Sequence, residues 1–159
     1  MPKKVKPIPE GLHTITVNMS VRDAAKAIEF YRKAFGAEEL SRMMSPDGKY
    51  VWHAELQFGN SRLYLADEAA SGAKSPQAMG GSPVSLQLNV EDVDKMFDRA
   101  VKAGAKVKMP VADMFWGDRY GALTDPFGLD WSISTHLRDV PPDEMKKAGK
   151  EFWAQMHMK

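Results

Sequence analysis

No cysteine occurs anywhere in the 159 residues. That excludes disulfides, thiolate metal sites and cysteine nucleophiles, and it fits a reducing compartment, so a cytoplasmic protein is expected. An excess of one charge is also missing. Lys+Arg number 22 and Asp+Glu 21, a net charge of +1, which gives no reason to expect nucleic acid or an anionic membrane as partner. No apolar run reaches the ~20 residues of a membrane span. The basic start Met1-Pro2-Lys3-Lys4-Val5-Lys6-Pro7 has no apolar stretch behind it and does not read as a signal peptide. P-loop, dinucleotide-binding and GxSxG patterns are absent, and the glycines mark turns instead.

What is present suits a soluble globular chain of one domain, or two half-domains sharing a core: 43% hydrophobic and 27% charged residues. A hairpin organises it. Asp125-Pro126-Phe127-Gly128 is a turn in which Pro presets one φ and Gly supplies a positive one. Beyond it Trp131 and Ile133 alternate with Asp130, Ser132 and Ser134, the pattern of a half-buried strand. The chain then repeats. Val21 and Val90 lie 69 residues apart, each ending a strand-like run before an Asp that can cap a helix, and Phe58-Gly59 and Phe127-Gly128 share that spacing.

Each half reads as β-α-β-β-β. In the first, a strand over residues 12–19 precedes a helix with Ala24, Ala27, Ile28, Tyr31 and Phe35 on one face, ended by Gly36. Strands follow over 37–44, 50–58 and 62–66. Along the middle one Tyr50, Trp52, Ala54, Leu56 and Phe58 oppose Val51, His53, Glu55 and Gln57, which predicts Trp52 in the core. In the second half, Val84, Leu86, Leu88 and Val90 form the first strand. A helix bearing Val93, Met96, Phe97, Ala100 and Val101 follows, then strands over 105–111, 119–124 and 129–135. The boundaries are 1–67 for the first module, 68–82 for an Ala/Ser/Gly/Pro-rich linker loop, 83–137 for the second module and 138–159 for a helical tail. Met145, Ala148, Phe152 and Met156 stripe that tail, which either caps its own domain or packs on a partner chain. The expected fold is α+β: two βαβββ modules forming a cupped mixed eight-stranded sheet, with a C-terminal helix.

One face of every strand is polar, including Thr16, Asn18, His53, Glu55, Tyr64, Ser85, Gln87, Asp130 and Ser132. A one-sided antiparallel sheet in solvent would look the same. Two repeated halves with Tyr, His and Glu at mid-strand instead suggest a concave surface that holds a ligand. His53 and Glu55, two apart on one strand, point the same way roughly 6.5 Å apart, and are the candidate catalytic pair. Phe115-Trp116-Gly117-Asp118-Arg119-Tyr120 is rich in gripping groups: Trp116 to stack, Arg119 to fork onto a carboxylate or phosphate, Gly117 to let a ligand approach. The candidate ligand-binding set is Trp116, Asp118, Arg119, Tyr64, Gln87 and Asp130. The opposing interpretation pairs Asp118 with Arg119 in the loop and uses Trp116 to fill the core. His13, His136 and His157 fall outside any ligand spacing and read as structural or solvated. Eleven methionines could give an adaptable lining or simply fill an irregular core.

Taken together, the paired modules and several fragments resemble the vicinal oxygen chelate superfamily of glyoxalases, bleomycin-resistance proteins and extradiol dioxygenases, over nearly the whole chain. Val21-Arg22-Asp23-Ala24-Ala25, Ala27-Ile28-Glu29-Phe30-Tyr31, His53-Ala54-Glu55-Leu56 and Leu65-Ala66-Asp67-Glu68 are similar to its PhnB-like branch. Phe115-Trp116-Gly117-Asp118-Arg119, Asp125-Pro126-Phe127-Gly128 and Thr135-His136 extend the likeness. The resemblance implies a cup in which many members chelate a divalent metal and others sequester a drug without one. It places the metal-ligand positions at Thr16 and Ser85 on the first strands and Tyr64 and Ser132 on the last. None is an imidazole or carboxylate, and neutral hydroxyls are poor ligands for Zn, Ni or Fe. No metal ligand and no cofactor are therefore expected. The favoured function is binding of a small organic molecule by a homodimer. The alternatives are a metal-dependent lyase, isomerase or dioxygenase with ligands displaced to His53, Glu55 and Asp130, and a dimeric interaction module with a filled cup.

Overall fold

The computed structural model describes residue 1 and residues 3–158. The first half comprises β1 (Val17–Val21), α1 (Ala24–Phe35), β2 (Glu38–Met44), β3 (Val51–Phe58) and β4 (Ser61–Asp67). Two short helices follow, α2 (Glu68–Ser71) and α3 (Pro76–Met79). The second half repeats the order as β5 (Leu86–Asn89), α4 (Val93–Ala103), β6 (Lys106–Asp113), β7 (Asp118–Thr124) and β8 (Asp130–His136), and α5 (Pro142–His157) ends the chain. The eight strands stand as two four-stranded mixed sheets, ordered β1-β4-β3-β2 and β5-β8-β7-β6. In each, the first strand runs parallel to the last and the other pairs are antiparallel.

The helices start and stop where their caps dictate. Asp23 accepts from the Lys26 amide and Asp92 from the Lys95 amide, satisfying N-terminal donors, and Gly36 closes α1 in the left-handed conformation. The modules then dock helix to helix and ring to ring. Arg99 of α4 donates to the carbonyls of Lys33 and Arg32 at the end of α1, where unpaired carbonyls would otherwise remain. Tyr31 and Phe35 of α1 pack on Phe58 and on Trp131 of β8, with ring centroids 4.7–6.3 Å apart. Full burial of each such ring stabilises the fold by about 1.5–3 kcal/mol.

Asp125 fastens this core. It is only 4% exposed. Its Oδ1 accepts from the amides of Phe127 and Leu129, and its Oδ2 from the Tyr31 hydroxyl at 2.6 Å and Trp131 Nε1 at 2.8 Å. Burial, and then the neighbouring Asp125 charge, hold the Tyr31 phenol protonated well above its ordinary range.

The structure departs from the sequence reading in three places. Trp52 is 49% exposed, whereas Val51 is buried. The cause is a bulge: Met43 faces His53 and Met44 faces Val51, so Trp52 is the extra residue and alternation reverses before it. It flanks a surface recess with Tyr50, Pro46, Ala69 and Ala70. Residues 12–16 lie outside β1, with Ile15 exposed, because the register would set Ile15 opposite Ser61, where β4 begins. The linker is ordered rather than open. Ser75 caps α3 and is fully buried, Pro76 sits at its first position, and Gly72 and Gly80 end the two helices.

Removing the Asp125 carboxylate leaves four donors without their acceptor. Asp125→Ala is therefore expected to cost about 3–5 kcal/mol and Tyr31→Phe about 1–2 kcal/mol, read from urea midpoints at unchanged slope. Equal midpoints for Asp125→Ala and the parent would show that the network contributes nothing.

Candidate functional site

Each sheet turns one face to its helix and leaves the other open. On the first sheet, β3 places Ala54, Leu56 and Phe58 inward and His53, Glu55 and Gln57 outward. His53 Nε2 lies 3.7 Å from Glu55 Oε1, and Arg62 Nη1 lies 3.8 Å from Glu55 Oε2. Arg62 also donates to Gln57, and His53 meets the Tyr64 ring edge-on at 4.8 Å. The structure thus brings His53, Glu55 and Tyr64 together, about Arg62. Asp130 is on the other sheet, so the displaced ligand set His53, Glu55 and Asp130 is split between sheets. Among the described residues no group of three or more His, Asp or Glu side chains is arranged to hold a metal.

The open face of the second sheet is a hydrogen-bonded lattice. Gln87 donates to Asn89 and Ser134, and Ser132 donates to Gln87. Asp130 takes a charged hydrogen bond from Lys108 and another from Thr124, and these hold its carboxyl below the usual range. A recess of about 620 Å³ opens there, lined by Lys108, Met109, Tyr120, Ala122, Asp130 and Ser132 among others. Trp116 stands over Tyr120, edge to face with it at 5.6 Å and with Phe115 at 5.1 Å. Phe115 in turn meets Phe152 of α5 at 5.3 Å, so the tail helix braces this aromatic corner.

Two residues expected to meet a ligand have partners within the chain. Arg119 alternates onto the helix side of β7, where Asp94 of α4 takes two of its donors and Asp113 a third. Its fork is filled by the protein's own carboxylates, neither of them Asp118, and those bonds raise its pKa further. Gly117 does permit a close approach, but to the chain itself. A Cβ there would lie 2.2 Å from the Arg138 carbonyl oxygen, and Gly117 O accepts from the amides of Leu137 and Arg138.

Asp118 has a different partner, one that the sequence reading set aside. His136 Nδ1 lies 2.7 Å from Asp118, and Nε2 lies 2.8 Å from Asp139. The signal was available. Strands folded about Asp125-Pro126-Phe127-Gly128 pair Thr124 with Asp130, and the same count outward sets Asp118 opposite His136. The two carboxylates take opposite ring nitrogens, so they hold an imidazolium rather than converge on a metal.

The fold's usual metal positions can now be tested on geometry. Thr16 and Ser85 lie just outside the ladders. The open-face partners of the last strands are Asn18, opposite Tyr64, and Gln87, opposite Ser132. Amides and hydroxyls are weak donors to Zn, Ni or Fe, so these residues do not fit such a site.

Hydrogen bonds first to Asp118 and then to Asp139 raise the His136 pKa above its ordinary value. Stability from this cluster is then full below the unfolded value near ~6.5 and lost as pH rises through the folded one. An NMR titration should find His136 ionising above ~6.5, and Asp118→Asn should bring it back toward that value. An unchanged midpoint in Asp118→Asn would refute the pairing.

Residues 11–133 match the Glyoxalase/Bleomycin resistance protein/Dioxygenase superfamily. An uncharacterized Mycobacterium bovis protein, Mb0911c, is 45% identical over 138 residues, 84% of this chain and 90% of that one. The crystal structure of the Arabidopsis thaliana At5g48480 product superposes with a TM-score of 0.64 at 27% identity, covering 77% of this chain and 98% of that one. The PhnB protein of Bacillus cereus, at 19% identity, shares the fold with a TM-score of 0.61, covering 77% of this chain and 99% of that one. The chain therefore belongs to the glyoxalase/bleomycin resistance protein/dioxygenase superfamily.

Proposed function

We propose that the protein binds a small organic molecule on the open face of its sheets, without the divalent metal that many glyoxalase-type proteins use. One observation carries the reading: the four central open-face positions are Asn18, Tyr64, Gln87 and Ser132, all neutral. Such groups donate and accept hydrogen bonds well and ligate transition metals poorly. The recess beside Lys108, Tyr120 and Ser132 lies within the ~300–1,000 Å³ of ordinary small-molecule sites. In it Tyr120, braced edge to face by Trp116, offers aromatic surface, while Lys108, Asp130 and Ser132 supply directional polar contacts. His53, Glu55 and Tyr64 would contribute in the same way from the first sheet. No nucleic acid or membrane enters this reading, and among the described residues no helix is long and apolar enough to cross a bilayer.

The protein works as a homodimer in this proposal. Support comes from α5, which buries none of its residues and leaves Trp153 and Met156 exposed.

Two measurements test the function. Elemental analysis of protein purified without chelator should find well under one metal per chain. Stoichiometric metal lost in His53→Ala would replace the reading with a metalloenzyme. Screening aromatic and heteroaromatic compounds by ligand-observed NMR should then find binders whose affinity falls about tenfold in Tyr120→Ala or Trp116→Ala, as for loss of an aromatic contact. Binders indifferent to both changes would place the ligand elsewhere.

A further inference from the structure

The two sheets end, where they approach each other, on β1 and β5, and neither strand is paired on its outer side. Between them lies a cavity of about 340 Å³. Val17, Met19 and Leu86 line it, and each is a partly buried side chain resting on the central core. Leu129 of the Asp125 hairpin is a further wall, and Pro76 and Met79 of α3 another. The core is thus incomplete at this point: apolar side chains that close packing would cover instead border open space.

The walls are held apart by defined contacts. Ser75, fully buried, donates its amide to Glu68 and caps α3 through the Ala78 amide. Gln77 Nε2 donates to the Pro126 carbonyl, which anchors α3 to the hairpin. A preformed apolar cavity costs little ordering on binding. At its edge stands Lys74, which forms no ion pair among the described residues. The nearest cations of the open faces are by contrast paired, Arg62 with Glu55 and Lys108 with Asp130.

We infer that this inter-sheet cavity is a second ligand site, which takes a medium-length aliphatic carboxylate, its chain between β1 and β5 and its head on Lys74. The chemistry follows from the walls, which are mainly hydrocarbon with Asn18, Ser20 and Ser82 as polar groups and Lys74 as the one cation: an apolar chain to bury and a negative head to neutralise. The volume is at the low end of small-molecule sites, which suits a short chain and excludes a large polycyclic one. The cavity shares Ser82 with the recess beside Tyr120 and Asn18 with the open face, but none of its apolar wall residues lines that recess.

The test uses the intact chain and decanoate below its micelle concentration, with decanol as the uncharged comparator. Methyl resonances of Val17, Met19, Leu86 and Leu129 should shift saturably with one decanoate per chain. Lys74→Glu should weaken decanoate about tenfold, as for loss of a charge-assisted hydrogen bond, and leave decanol unchanged. Val84→Trp, at an exposed position on the cavity wall, should block both while the thermal midpoint holds. The inference is overturned by no saturable shift, by shifts confined to Tyr120 and Ala122, or by Lys74→Glu affecting decanoate and decanol alike. Concentration-dependent shifts of the same methyls without any probe would give the cavity to a second copy of the chain and equally overturn it.

Discussion

A single buried carboxylate ties the turn, the core and the docking of the two modules together. Asp125 closes its own turn through the Phe127 and Leu129 amides, and it fixes the plane of Trp131 through the indole N–H. It reaches across to the other module through the Tyr31 hydroxyl. An anion so far from water is tolerated only because all four donors converge on it. Asp67, the last residue of β4, does a smaller version of the same work at the other end of the first module's last strand. It accepts from the Ala24 amide at the start of α1 and from the Val51 amide at the start of β3. Each module is therefore locked by an aspartate beside its last strand. Only the second lock also engages its neighbour.

That asymmetry explains why the open faces can remain polar. With ring packing around Trp131 and hydrogen bonding at Asp125 holding the halves together, neither sheet needs its outer face for stability. The residues there satisfy one another instead, as in the Gln87, Ser132, Ser134 and Asn89 lattice. A satisfied lattice is rigid, and rigidity is what a recognition surface requires.

How much of this was legible in the sequence depended on whether local rules decided it. The 69-residue repeat, the capping aspartates and the alternation along β3 and β8 are local, and they gave the two modules and their order. The pairing of Asp118 with His136 was also within reach, since register follows from the turn. Trp52 was not, because a bulge opposite Met43 and Met44 has no reliable signal on its own strand. The partners of Arg119 were out of reach for another reason. Its partners Asp94 and Asp113 come from a helix and a neighbouring strand, and only the packed fold says which carboxylate fills a guanidinium fork. Gly117 was rightly singled out for close approach, yet the approaching group is the chain's own Arg138 carbonyl. The short helices of the linker were hidden in a composition that reads as loop until Ser75-Pro76 is taken as a cap and first turn.

Charge is distributed over the surface so as to separate two kinds of recognition. On the open faces the charged groups neutralise one another: Arg62 against Glu55, Lys108 against Asp130, His136 between Asp118 and Asp139. The central positions are neutral, Asn18, Tyr64, Gln87 and Ser132, and a surface of amides and hydroxyls selects by hydrogen-bond pattern and shape. An ion placed there would compete with pairs already made. Between the sheets the balance is reversed: apolar walls outweigh the polar side chains of Asn18, Ser20 and Ser82, and Lys74 at the edge forms no ion pair among the described residues. In the ligand site inferred there, selection falls to chain length and to the sign of the head group. In the two proposals above, the open face takes a neutral, polar molecule and the cleft an apolar anion. The ring packing around Trp131 and the hydrogen bonds of Asp125 hold the two modules, and with them both surfaces, in one arrangement.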